Sequence, residues 1–243
     1  MPSLIEWTTE TWNPVIGCDK WSDGCKNCYA REIALRLKRQ GVSDYEQGFK
    51  VHILPHRLNG PLSWKKPRKI FVNSMSDLFH KDVPFDFLTS VFKIIEKADI
   101  HLFQILTKRS ENLLALAPKL NWPDNLMMGV TIEANKYRYR LDHLKKVPAK
   151  YRFLSLEPLI TPIERLDLTG IHQVIVGGES GPNARPMDIN WVRNIKDWTK
   201  EQNVAFWYKQ TSEYKGQKSE PVLDGKYYKE EPDIKLNHTL FDF

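Results

Sequence analysis

From residue 69 onward the chain alternates between short, nearly continuous apolar runs and longer stretches whose apolar positions recur every three or four residues. KIFVNS, HLFQILT, NLMMGVTI, YRFLSLE, HQVIVGG and VAFWYKQ read as strands buried on both faces, since an almost unbroken apolar run leaves no face for water. Between them FDFLTSVFKIIEKA, RSENLLALAPKL, ANKYRYRLDHLKKV and INWVRNIKDWTKEQ carry helical spacing. Nearer the N-terminus, AREIALRLKRQG sets Ile33, Ala34 and Leu37 on one face and stops at Gly41, and TWNPVIG supplies one more strand.

Strands alternating with helices predict parallel β-α-β units, and the count is one short of a closed eight-fold barrel. The expected fold class is therefore α/β: a partial (β/α) barrel of about six to seven mostly parallel strands with an irregular C-terminal appendage. A flavodoxin-like doubly wound sheet is the competing arrangement. Residues 42–68 read as a long irregular connection. The alternation ends near Glu213, which divides the chain into a barrel domain, 1–213, and a C-terminal extension, 214–243, with a hairpin expected at Asp224-Gly225.

Composition adds limits. In 243 residues, 41% are hydrophobic and 27% charged, an ordinary globular balance. No apolar run approaches the roughly 18 residues of a membrane helix, and MPSLIEWTTE is too polar for a signal peptide, so a soluble, cytoplasmic protein is expected. The net charge of +6 favours anionic partners such as nucleotides, nucleic acid or acidic proteins, although a solvated lysine-rich surface would account for it equally.

Ligands of parallel α/β folds bind beyond the carboxyl ends of the strands, and there this sequence is rich in reactive side chains. The strands lead in turn into Cys18; into Asn73, Ser74, Ser76, Asp77 and His80; into Thr107, Lys108 and Arg109; into Glu133 and Asn135; into Glu157; into Glu179, Ser180 and Arg185; and into Lys209, Gln210 and Glu213. Any one of these could be a turn former or helix cap. Their recurrence at every strand end, with Glu and Lys among them, reads as the wall of a site for a charged small molecule. Gly177 and Gly178 open GGESGP, where a bare backbone could approach an anion, although a turn requiring positive φ explains them too.

All three cysteines, Cys18, Cys25 and Cys28, fall within WNPVIGCDKWSDGCKNCYA. An odd number of thiols in a reducing compartment makes a disulfide framework a poor explanation. Cys25 and Cys28 have the C-x-x-C spacing that lets two thiolates meet one metal centre, and Gly17 and Gly24 would let Cys18 fold back as a third ligand. Four readings remain: a structural zinc lacking its fourth ligand, a redox pair with Cys18 left over, buried unreactive thiols, or a [4Fe–4S] cluster held by three thiolates with one iron open.

Together, TWNPVIGCDKWSDGCKNCYA, NSMSDLFH, LTKRSENL, VTIEAN, FLSLEPL, GGESGPNARPM and WYKQ resemble a phage- and bacterium-associated three-Cys-motif family of unknown function, across roughly residues 6–213. A three-cysteine loop after the first strand of an α/β barrel also resembles the radical S-adenosylmethionine (radical SAM) superfamily. That resemblance implies a partial barrel of the radical SAM type and a [4Fe–4S] cluster whose open iron binds SAM. It further implies a reductant protein such as flavodoxin or ferredoxin, and reductive cleavage of SAM to a 5′-deoxyadenosyl radical that abstracts a substrate hydrogen. By the same resemblance, Cys18, Cys25 and Cys28 ligate the cluster and Tyr29 packs on it or on adenine. Ser74, Ser76 and Asp77 meet the SAM amino group, Lys108 or Arg109 its carboxylate, and Glu133 or Asn135 its ribose. Glu157, Glu179, Arg185 and Lys209 are left to face the substrate. The C-x6-C-x2-C spacing here differs from the superfamily's usual C-x3-C-x2-C, and no Gly-Gly-Glu follows the second strand. LTKRSENL faintly resembles superfamily DNA-repair lyases acting on thymine dimers, and with Arg138, Arg140, Trp64, Trp191 and Trp207 it points to a nucleotide or nucleic-acid substrate. The alternative is a non-catalytic zinc- or Fe–S-containing nucleic-acid-binding protein.

Overall fold

The computed structural model describes residues 5–181, 183–212, 220–236 and 239–240. Seven strands form one sheet: β1 (Glu10–Trp12), β2 (Lys69–Val72), β3 (Leu102–Thr107), β4 (Leu126–Thr131), β5 (Tyr151–Leu156), β6 (Gln173–Gly177) and β7 (Ala205–Gln210). Every neighbouring pair is parallel, and their order in space is their order in sequence. A doubly wound sheet needs a reversal of strand order, so the flavodoxin-like alternative is excluded. Right-handed crossovers that always advance the same way place their helices on one face, and the twisted sheet curls into a partial barrel.

The strand sequences show which face is which. Ile70, Val72, Phe103, Ile105, Met128, Val130, Leu154, Val174, Val176 and Phe206 share a core with four helices: α2 (Phe85–Lys97), α3 (Ser110–Leu116), α4 (Tyr139–Lys145) and α5 (Ile189–Glu201). Residues of opposite parity, Phe71, Leu102, Met127, Tyr151, Phe153, Ile175 and Trp207, form a second apolar cluster on the concave face, joined by Trp7. Both faces are thus apolar, as the nearly continuous runs predict. Helix α1 (Tyr29–Arg39) belongs to neither. It packs Ala30 and Ala34 against Ile16, Tyr45, Leu54 and Met75, a separate small core beside the cysteine loop.

Local departures from the sequence reading have local causes. TWNPVIG is not one strand. β1 stops at Trp12, Asn13 turns its side-chain oxygen to Ser74 Oγ and Met75 N, and Val15–Ile16 pairs antiparallel with His52–Ile53 instead. The stretch expected to be irregular, 42–68, therefore contains a strand and three 3-10 turns, Ser43–Tyr45, Pro55–Arg57 and Gly60–Ser63. β2 ends before NS because Asn73 takes φ 62. The helix expected from Ala134 begins as a 3-10 turn, Asn135–Tyr137, and α3 gives way to another, Ala117–Lys119, where Pro118 lacks the N–H that would continue it.

The C-terminal appendage includes the expected hairpin, with Val222 opposite Tyr227 and Leu223 opposite Lys226. Asp224 at φ 50 and Gly225 at φ 76 give its two-residue turn the left-handed conformation such hairpins require. Beyond it the chain runs along β7, exchanging backbone hydrogen bonds between Tyr208 and Tyr228 and between Phe206 and Glu230. It then crosses the concave side at the amino ends of the strands: Lys229 pairs with Glu6, Glu231 with Lys69, and Tyr151 Oη donates to the Lys235 carbonyl. Ile234 and Leu236 close over the inner apolar cluster. Among the described residues no helix is long and apolar enough to cross a membrane.

Inner packing is tight at Gly129, where a Cβ would lie 2.5 Å from the Phe153 ring. Gly129→Ala is therefore expected to cost about 1–3 kcal/mol, read as a lower urea midpoint with an unchanged slope, and Phe153→Leu should restore part of the loss. An unchanged midpoint would show that the ring yields freely.

Candidate functional site

The loop from Cys18 to Cys28 lies across the carboxyl ends of the strands, where three brackets hold it. Gly17 begins it, at φ 85, with the space of its missing side chain taken by the Lys50 carbonyl 2.2 Å from the ideal Cβ position. Gly17 N donates to Met75 O at 3.0 Å and Cys18 N to Phe49 O at 3.2 Å, so the loop leaves the β1 side under backbone control.

The first bracket comes from β4. Glu133 Oε1 accepts from the Ser22 hydroxyl and, at 3.4 Å, from Gly24 N, while Oε2 accepts from Arg140 Nη1 at 2.8 Å. Both charged side chains are 0% exposed. Arg140 also donates to Thr131 O at 2.8 Å and sits over the Tyr137 ring, 4.3 Å from its centroid. Removing one partner of a buried ion pair typically costs about 3–5 kcal/mol, so this bracket is a strong one. Gly24 permits the approach, because a Cβ there would meet Glu133 Oε1 and Pro158 Cδ at 3.1 Å.

The second bracket comes from β6. Glu179 Oε2 accepts from Asn27 Nδ2, Arg185 N and Arg185 Nε, each at 2.9 Å, and Arg185 Nη2 reaches the Asp23 carbonyl at 3.0 Å. Burial alone would push the Glu179 carboxyl up, but hydrogen bonds from Arg185 and Asn27 outweigh it and hold it below the ordinary carboxylate range. The third bracket comes from β2 and β3. Asp77 accepts from Thr107 Oγ1 at 2.7 Å and Lys108 N at 3.1 Å, and lies 3.7 Å from Arg109 Nη1. Arg109 in turn backs the Trp21 ring, 4.9 Å from its centroid, and donates to Asp19 O at 3.4 Å. His80 Nε2 contacts Asp19 Oδ2 at 3.1 Å.

Within this frame Cys18, Cys25 and Cys28 are all half-buried and unpaired. Cys28 is the residue just before α1, and Cys25 closes the 3-10 turn Asp23–Cys25. Burial pushes the Cys18 thiol up to about 12, with Asp77 adding, Arg109 opposing, and Cys25 and Cys28 adding further, which places the other thiols within its electrostatic reach. Thiolate ligation would reverse that shift through the charge of the bound metal. A tetrahedral zinc with Zn–S bonds of about 2.3 Å would bring its sulfurs to about 3.8 Å from one another. The three thiols are not gathered that closely: among the described residues, only Asp19, His80 and Asp82 form a set of three ligand-type groups with donor atoms within 4.8 Å.

The remaining strand-end residues divide by what they touch. Tyr29 exposes its ring, 45%, and donates its hydroxyl to Ser74 O at 2.8 Å. Burial of that hydroxyl and the nearby Cys28 and Glu157 raise its pKa. Ser74 Oγ donates to Asn13 Oδ1 and Ser76 Oγ to Val15 O. Asn135 turns away, accepting from Glu164 N at 3.2 Å. Glu157 Oε2 accepts from Ser155 Oγ at 3.1 Å, and Oε1 lies 3.0 Å from Lys209 Nζ. That pair continues the concave-face parity of β5 and β7 above the apolar plug. The glycines answer to these neighbours: a Cβ on Gly177 would lie 2.8 Å from Glu157 Oε1, and one on Gly178 would lie 2.3 Å from Ser212 N. Lys108 is half-buried, and its ammonium group has no partner among the described residues. Pro182 and Glu213 lie outside the described residues.

The side chains taken as signs of nucleic acid are not a surface. Arg140 is fully buried, Trp207 belongs to the inner cluster, Trp64 and Trp191 pack against the main core, and Arg138 is paired with Glu164. Sequence reading missed Ser22, Asn27 and Arg140 as loop holders. Only Arg140 left a signal: it lies four residues from Leu144, which with Leu141 forms the buried stripe of α4. A cleft of about 860 Å3 lies at the opposite end of the sheet, bordered by His172, Lys200, Asn203 and Tyr228. The chemistry converges on the carboxyl ends, where parallel α/β folds bind their ligands.

Comparison with known proteins gives three results. No curated protein matches the chain. Among solved structures, a mutant spore photoproduct lyase with bound AdoMet and dinucleoside spore photoproduct is similar at a TM-score of 0.45 and 12% identity, covering 79% of this chain and 61% of that one. A second structure of that lyase, complexed with dinucleoside spore photoproduct, gives 0.43 and 14%, covering 77% and 59%. This chain thus spans about three fifths of the length of those proteins. A family model described as protein of unknown function (DUF5131) matches residues 2–233, nearly the whole sequence, and the chain belongs to that family.

Proposed function

We propose that the protein is a radical SAM enzyme in which Cys18, Cys25 and Cys28 hold a [4Fe–4S] cluster. The observation that carries this reading is the loop itself: three unpaired thiols within eleven residues, Cys18 in electrostatic reach of the other two, bracketed over the carboxyl ends of a parallel sheet. Three thiolates leave one iron open for SAM, and the cluster with SAM supplies one-electron cleavage of SAM and hydrogen abstraction from a substrate.

The chain's own residues take the surrounding tasks. Lys108, whose ammonium group is unengaged among the described residues, suits the SAM carboxylate better than Arg109, which is occupied by Asp77, Asp19 and Trp21. Ser74, Ser76 and the Ser74 carbonyl line the β2 side, and the exposed Tyr29 ring offers adenine a flat face. Glu157 and Lys209, paired on the concave face, are assigned to the substrate. Glu133, Glu179 and Arg185 hold the loop and are not assigned to ligand. A nucleotide or nucleic-acid substrate would find a further exposed ring in the loop, Trp21, on which a base can stack. Flavodoxin or ferredoxin would be suitable electron donors.

Anaerobic reconstitution with iron and sulfide is expected to give a brown protein that releases 5′-deoxyadenosine with SAM and dithionite, and Cys18→Ala should lose most of its iron. A colourless protein with one zinc per chain, or unchanged iron in Cys18→Ala, would refute the reading. Lys108→Met is expected to keep its iron but weaken SAM binding by roughly 10- to 100-fold, the value of one charge-assisted hydrogen bond, measured by anaerobic calorimetry. Wild-type affinity in that variant would move the carboxylate contact elsewhere.

A further inference from the structure

The Ser22 hydroxyl stands between two groups that compete for its one proton. Its oxygen contacts Glu133 Oε1 and lies 3.9 Å from the Cys25 sulfur. A carboxylate only accepts hydrogen bonds, and Glu133 is fully buried against the Arg140 guanidinium, 2.8 Å away. The hydroxyl proton therefore goes to Glu133, and the side of Ser22 facing Cys25 is an oxygen lone pair. In the metal-free protein the Cys25 thiol can donate to that lone pair. Once the thiol has lost its proton to bind iron, the same lone pair gives the sulfur no hydrogen bond.

Hydrogen bonds to cluster sulfurs are among the factors that set reduction potential. We propose that Glu133, acting through Ser22, is a positioning residue: it turns the hydroxyl so that an oxygen lone pair, the negative end of its dipole, and not the proton, faces Cys25, and so keeps the potential of the cluster on the three thiols low. The inference rests on the cluster reading of the loop, and it adds how this chain tunes that cluster. Arg140 is the third link. It fixes Glu133 from the far side, and its 0% exposure keeps water from replacing it. Glu133 thus acts on the metal site from behind the loop, without contact with SAM or substrate.

The test is the midpoint potential of anaerobically reconstituted protein, with iron and sulfide counted in each sample. Ser22→Ala removes the lone pair and is expected to shift the potential upward with iron retained, while Ser22→Thr, which keeps the hydroxyl, should stay at the wild-type value. Glu133→Gln can donate its amide to the Ser22 oxygen and release the hydroxyl proton to Cys25. Its upward shift should be larger in the Ser22 protein than in the Ser22→Ala background. Equal shifts in the two backgrounds would reduce Glu133 to a background charge and overturn the inference, as would a potential that Ser22→Ala leaves unchanged or lowers. Should Glu133→Gln not fold, the Ser22 pair still decides. Wild-type protein that takes up no iron is a separate result, because it defeats the cluster reading rather than this inference.

Discussion

The position of the cysteine loop depends on one buried ion pair. Glu133 and Arg140 are both 0% exposed, and the carboxylate that faces Arg140 on one side faces Ser22 and Gly24 on the other. A buried pair is weak evidence for stability as such, since two apolar side chains could fill the same space at no greater cost. Its use is geometric: it fixes the direction of two carboxylate oxygens at the end of β4, and so the path of the loop between Cys18 and Cys25. Glu179 with Arg185, and Asp77 with Arg109, do the same for Asn27 and for Asp19. Three pairs from different strand ends converge on one eleven-residue loop.

The sheet makes that convergence possible. Because strand order never reverses, every carboxyl end points to the same rim, and the curl brings β4 and β6 toward the loop that follows β1. The concave side is filled from below by Phe71, Met127, Phe153, Ile175 and Trp207, and the segment from Lys229 to Leu236 closes its base through Glu6, Lys69 and Tyr151. Near the rim that side carries the polar group of Ser155, Glu157 and Lys209, with Thr131 level with Ser155 on the neighbouring strand. Apolar packing beneath the rim limits the approach of water from below to whatever binds there.

The fold was legible in the sequence because buried parallel strands and amphipathic helices leave different hydrophobic periods, and the Asp224-Gly225 turn was legible because few residues take left-handed angles. The small core under α1 was not, since residues 42–68 contribute single apolar side chains such as Tyr45 and Leu54 without any period. Strand-end position marked which polar residues gather at the rim. It could not tell which of them face a ligand and which face the loop: Glu133 and Glu157 have the same residue type and the same strand-end position, yet one is sealed behind Ser22 and the other lies beside Lys209. That distinction depends on Arg140, a side chain taken in the sequence as a sign of nucleic acid and buried by the phase of α4.

The central claim is that three thiols hold a cluster with one iron left open. Electron paramagnetic resonance of the anaerobically reconstituted, dithionite-reduced protein, recorded with and without SAM, tests it most directly. The account predicts a reduced [4Fe–4S] spectrum whose g-values move when SAM is added. A cluster spectrum indifferent to SAM, or no iron signal from protein with all three thiols intact, would contradict it.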